Sequence, residues 1–245
     1  MNEVAPAKGS RDLGRNLTHG LLDAVGKAII AGEYDSRSFP TEAQLSSQYG
    51  VSRSVTREAI KMLGAKGMVA ARPKQGTFLQ SKEAWNLFDP DVLRWILDSS
   101  PTLDQLRWFN ELRIGIEPQA AALAARHAND DQLEAIAAGL RRMEQAELGL
   151  DDPLTADIEF HAAVLRASNN PFYAQFRELV SAALNTSIRF TNRIAGHTAD
   201  IAEHAAVFAA IRGGNAKAAL KSMEALIENV LDVIVSRGGT IQPPS

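Results

Sequence analysis

Cysteine is absent from this 245-residue chain. Its absence excludes disulfides, thiolate catalysis and cysteine-ligated zinc, and it fits a reducing compartment. No apolar run approaches the ~20 residues needed to span a bilayer, so a membrane is not an expected partner. The opening stretch, "MNEVAPAKGSRDLGRN", lacks the apolar core of a secretory signal. Internal repeats and low-complexity segments are missing too. These absences lead to the expectation of a soluble cytoplasmic protein. Apolar residues make up 45% of the chain, enough for a well-buried core, and the length suits one large domain or two ordinary ones.

The net charge of −3 hides an asymmetry. Residues 1–82 carry 12 Lys/Arg against 7 Asp/Glu, whereas residues 83–245 carry 14 against 22. Between Gly50 and Lys82 there are seven basic residues and one acidic one. A small basic part joined to a larger acidic part points to a polyanion partner for the first part alone, or simply to a solvated charged face.

Local patterns divide the chain into a disordered arm (1–12), a compact first domain (13–80), a linker (81–90), a helical domain (91–236) and a frayed tail (237–245). Leu17, Leu21, Val25 and Ile29 recur every four residues, as on one face of a helix. Thr41 and Gln44 form a capping box, and Gly50 is placed to end the helix they start. Ser52 opens a third helix whose stripe is Val55, Ala59 and Leu63. "MVAARPKQGTFL" reads as a β-hairpin turning on Pro-Lys-Gln-Gly. From about residue 90 the pattern is helical throughout, with six or seven helices. Asp89-Pro90, Asp152-Pro153 and Asn170-Pro171 mark starts, Thr102 with Gln105 makes another capping box, and Asn215 caps the last helix. Pro118 is expected to kink or break its helix near Glu117. The fold class is mainly α: an N-terminal winged helix-turn-helix followed by an all-helical bundle.

In "YGVSRSVTREAIKML" the third helix starts with Ser52, Arg53, Ser54 and Arg57, short hydroxyls and long cations on its first turns. Such residues at a helix N-terminus can meet base edges and phosphates in a major groove. Arg72 and Lys74 flank a wing turn ended by Gly76. Residues 39–79, "FPTEAQLSSQYGVSRSVTREAIKMLGAKGMVAARPKQGTFL", resemble the DNA-binding domain of GntR-family transcriptional regulators. The resemblance implies double-stranded operator DNA as a partner and contacts from Ser52, Arg53, Ser54, Arg57 and Gly76. One departure is Ala43, where many family members carry arginine or lysine. Thr56 lies between contact positions, either as a contact or as plain helix surface.

In the acidic part, Asp157 and His161 of "ADIEFHAAVL" stand four apart, on one helix face. By spacing alone that face can hold a metal, a small molecule or only a hydrogen-bonded pair. This half resembles the FCD ligand-binding domain of the FadR-type GntR branch. "WNLFDPDVLRWIL" with "ADIEFHAAVLRASNNP" is similar to the repressors of galactonate and related sugar-acid catabolism. The resemblance implies a sugar-acid effector in a cavity among helices. Asp157, His161 and His204 match metal ligands, for zinc, manganese or nickel. Leu226 stands where most metal-binding relatives carry a fourth ligand, a histidine, so the site is expected to be weakened. Arg113 matches an arginine that faces the effector carboxylate, or else pairs with Glu117 one turn on. Asn185, Arg189 and Arg193 share one helical face and are candidates to meet effector hydroxyls, with solvated surface the stronger reading for at least one of them. His127 and His197 read as surface residues near helix ends.

The function expected is a homodimeric, ligand-responsive repressor. A metal-dependent enzyme using Asp157, His161 and His204 is the rival reading, and a nonspecific architectural DNA-binding protein is a third.

Overall fold

The computed structural model describes residues 17–35, 38–72, 76–99, 102–185 and 200–238, the last six as backbone only. The chain forms two compact units, Met1–Ser100 and Pro101–Ser245.

The first unit holds α1 (Leu17–Ile30), α2 (Glu42–Tyr49), α3 (Arg53–Ala65), β1 (Val69–Arg72), β2 (Gly76–Leu79) and, after a 3-10 turn at Lys82–Ala84, α4 (Pro90–Asp98). The caps are local and follow the sequence. The Gln44 N–H donates to Thr41 Oγ1 at 3.3 Å, and the Gln44 side chain accepts from the Thr41 N–H. Gly50 closes α2 in the left-handed region at φ 66°. Ser52 accepts from the Val55 N–H to open α3. Strands β1 and β2 pair antiparallel, with Val69 opposite Leu79 and Arg72 opposite Gly76. The core is drawn from Leu21, Val25 and Ile29 of α1, Leu45 of α2, Ala59 and Leu63 of α3, and Met68 and Val69. Leu17 remains about half exposed.

Helix α4 corrects one boundary. Residues from 91 onward were expected in the helical domain, yet α4 belongs to the first unit. Val92, Trp95 and Ile96 join the core of α1 and α3. The Trp95 indole N–H donates to Asp23 of α1 at 2.7 Å. Gly26 makes the seat, since a Cβ there would lie 2.4 Å from Trp95 Cζ3. At the far end of α3, Lys66 is nearly buried and binds Asp89 at 2.7 Å and Asp91 at 2.8 Å. Truncating a buried tryptophan of this kind costs about 3–5 kcal/mol, so α4 is an integral part of the unit.

The second unit is helical: α5 (Leu103–His127), α6 (Asp130–Glu147), α7 (Pro153–Ala167), α8 (Pro171–Gln175), α9 (177–185), α10 (Ile201–Arg212) and α11 (Ala216–Gly238). Thr102, Asn129, Asp152, Asn170, Asp200 and Asn215 each accept a backbone N–H from the first turn that follows. Helix α5 runs unbroken through Pro118, contrary to a break there. The proline removes one N–H, but Ile116, Ala120, Ala121 and Ala124 are buried around it and hold both flanks. Helices α6 and α7 meet at a glycine: a Cβ at Gly139 would lie 2.9 Å from Phe160 Cα. Leu140, Met143, Phe160, Val164, Val207, Met223, Leu226 and Ile227 share this core. Among the described residues no helix is long and apolar enough to cross a membrane.

Candidate functional site

On the first unit, the opening of α3 faces solvent. Ser52, Arg53, Ser54 and Arg57 are all exposed. Ser52 and Ser54 share a 2.8 Å hydroxyl hydrogen bond. Arg57 stands 3.6 Å from Glu42 at the start of α2, an exposed ion pair of small energetic weight. Thr56 is neither contact nor surface. It is fully buried, and its hydroxyl donates to the Ser52 carbonyl at 3.2 Å. On the wing, Arg72 is exposed with its guanidinium 4.5 Å from the Phe78 ring centre. Gly76 sits at φ 81°, in the left-handed region that favours glycine. Lys74 lies outside the described residues. Ala43 is exposed on the first turn of α2 and brings no polar group.

The second unit buries its polar residues instead. Helix α7 turns Asp157 and His161 inward at i and i+4, and the first turn of α10 brings His204 to them. One ligand atom from each lies within 4.8 Å of the others, and all three residues are buried. His204 Nε2 is 3.0 Å and His161 Nε2 is 3.4 Å from the same oxygen, Asp157 Oδ1. Each ring's other nitrogen is engaged. His204 Nδ1 bonds the Asp200 carbonyl at 2.7 Å, and His161 Nδ1 bonds Glu117 Oε2. The Phe160 ring stands edge-on to both imidazoles.

Helix α5 supplies the other wall from Asn110, Arg113 and Glu117, spaced so that they share a face. Arg113 is buried. Its Nε donates to Glu117 Oε1 at 2.5 Å and its Nη1 to Asn110 Oδ1 at 3.3 Å. Its Nη2 is 3.4 Å from His161 Nε2. The ion pair with Glu117 weighed against an effector role is therefore present, and Arg113 also reaches the histidine cluster.

Burial opposes the charged forms of Glu117, Asp157 and His161, yet their partners prevail. Against that burial, Arg113 and His161 hold the Glu117 carboxyl down to about 2. Asp157 is likewise held well below the carboxylate range by His161 and His204. Burial would lower His161, but Glu117 and Asp157 raise it to about 9. A metal ion at its Nε2 would have to displace a proton.

Glu117 and Asn110 were not singled out as functional residues. The signal available was two polar side chains on the face that also carries Arg113, in a helix otherwise rich in buried alanine. Asn185 is half-buried on α9, outside the contacts described above, while Arg189, Arg193 and His197 lie outside the described residues. His127 is exposed in the last turn of α5. Leu226 is buried in the apolar core.

Two family models match the chain. Residues 18–79 match bacterial regulatory proteins of the gntR family, and residues 109–229 match the FCD domain. The HTH-type transcriptional regulator YieP of Escherichia coli (strain K12) is 32% identical over 88% of this chain and 94% of that protein. The chain belongs to the GntR family. It is a transcriptional regulator with a GntR head and an FCD body, rather than an enzyme. The galactonate operon transcriptional repressor of Escherichia coli (strain K12) is 31% identical over 83% of this chain and 90% of that protein. A solved structure of Lar from Listeria monocytogenes has a TM-score of 0.55 at 19% identity, covering 91% of this chain and 98% of that one. This last likeness concerns the fold alone.

Proposed function

We propose that this GntR/FCD regulator is a homodimeric repressor of a sugar-acid catabolic operon, acting in the cytoplasm and released from its operator by a small carboxylate effector. The observation that carries the reading is the buried cluster of Asp157, His161 and His204 with Arg113 beside it. A buried cation next to convergent polar groups suits a small hydroxy acid. The name of the galactonate repressor relative supports the same effector class. Ser52, Arg53, Ser54 and Arg57, with Arg72, Lys74 and Gly76 of the wing, are the proposed DNA contacts. A single helix reads few base pairs, so a second head on a two-fold site is needed for a specific operator.

The donor set fits a divalent ion such as zinc, manganese or nickel: two imidazole nitrogens and one carboxylate oxygen. Both Nδ1 atoms already have acceptors, which leaves both Nε2 atoms available as ligands. Three protein ligands are too few for a closed structural zinc site but suffice for an open one. Leucine at 226 adds no donor. A bound ion would supply a Lewis-acid anchor for carboxylate and hydroxyl oxygens. Arg113 would steady the carboxylate, and Asn185 and Arg189 are the proposed hydroxyl partners.

The test is an electrophoretic mobility shift on DNA flanking the protein's own gene, with and without galactonate and other sugar acids, in zinc and in chelator. A retarded band dispersed by one sugar acid is expected. A band indifferent to every sugar acid in both conditions would sink the effector assignment. Dispersal that survives chelation would leave Asp157 and His161 as direct hydrogen-bonding partners of the effector.

A further inference from the structure

Glu117 joins two groups to which the proposed function gives different tasks. It is 1% exposed. Oε1 accepts from Arg113 four residues earlier on α5, and Oε2 accepts from His161 on α7. A neutral imidazole has one N–H and one lone pair, and the hydrogen bond at one nitrogen decides which is which. Both ring nitrogens of His161 face a carboxylate oxygen, the nearer of them at Nδ1. Arg113 carries no acceptor, and Asp157 faces Nε2. Glu117 is the acceptor at Nδ1.

We propose that Glu117 is the positioning residue of the buried site: it pins His161 through Nδ1 and so presents Nε2 to the point where Asp157 and His204 converge. His204 receives the same service from a main-chain oxygen, the Asp200 carbonyl. No side-chain substitution removes that carbonyl, so His204 is an internal control. Of the two ring anchors, the Glu117 carboxylate is the one a substitution can reach. The inference rests on the metal reading for its consequence, though not for its geometry.

Two measurements on the full chain test it. The first is zinc affinity, by competition with a chromophoric chelator after metal stripping. Glu117→Gln is expected to weaken zinc binding 10–100-fold, the usual range for losing an outer partner of a ligand histidine. Because Glu117→Gln leaves Arg113 buried beside a neutral partner, the double variant Arg113→Met with Glu117→Gln is measured alongside, and the same loss is expected. Wild-type zinc affinity in both variants overturns the proposal.

The second measurement needs no metal. The His161 Nδ1–H proton, assigned by its loss in His161→Gln, is expected far downfield in the NMR spectrum of the wild type. It should move upfield in Glu117→Gln, while the His204 Nδ1–H stays in place. A His161 resonance unmoved by Glu117→Gln overturns the proposal. A wild type that takes up no zinc, manganese or nickel, but whose His161 resonance does move, defeats the metal reading and leaves the positioning role of Glu117 standing.

Discussion

The two units handle charge in opposite ways. In the head the cations proposed to act are on the outside: Arg57 is 64% exposed and rests on one weak ion pair. In the body they are inside: Arg113 is 2% exposed and bonded to Glu117 and Asn110. A long exposed arginine suits a large polyanion, because the partner itself supplies the ordering. A small effector cannot do that, so the body keeps its polar groups already ordered. It follows that stability and function are separable in the head and entangled in the body.

The strongest challenge to this contrast is Glu117→Ala. It leaves the buried Arg113 charge without its carboxylate, and breaking a buried pair costs about 3–5 kcal/mol. Urea denaturation should show the loss. A midpoint like that of the wild type would mean that the body is less rigidly ordered than its hydrogen bonds imply.

In the head the expectation is reversed. Arg53→Ala or Arg57→Ala should weaken operator binding by about 1–3 kcal/mol at fixed salt and leave the melting temperature where it was. A shared loss of affinity and stability would erase the difference between the units.

Gly139→Ala forces a methyl against the Phe160 backbone, where α6 meets α7. Overpacking of this kind costs about 1–3 kcal/mol. Differential scanning calorimetry should register it with operator affinity unchanged.

The smallest effect concerns Asp91. Burial acts to raise its carboxyl, but Lys66 and Arg94 outweigh that and hold it below 3.8. A depressed acid stabilises the fold above its unfolded value, and the contribution disappears as pH falls through the lower folded value. Asp91 remains about one-third exposed, so the stabilisation is a few tenths of a kcal/mol, about the level of a surface pair. Melting curves of wild type and Asp91→Asn should differ slightly at neutral pH and converge in acid. A difference that grows toward low pH has the wrong sign for this pair.

Much of this was legible in the sequence because it is local. A helix cap is decided by residues two or three apart, so Thr41, Ser52, Thr102, Asp152 and Asn170 could be read directly. The Asp157/His161 face follows from i, i+4 geometry, but its position inside a core does not. Glu117 and His161 are 44 positions apart, and no spacing rule connects them. Resemblance supplied His204 for a similar reason: it comes from a third helix. Helix α4 was misassigned because its apolar stripe, Val92, Trp95 and Ile96, would suit either unit, and only the seat beside Gly26 decides.

That seat governs how the head can be transplanted. A chimera joined just after the wing, near residue 80, would leave the groove at Gly26 open, Asp23 without its indole partner and Lys66 without Asp89 and Asp91. A fusion point beyond Asp98 keeps the plug in its socket. The transferable unit of DNA recognition in this protein is therefore longer than its DNA-binding motif by the length of one tryptophan-bearing helix.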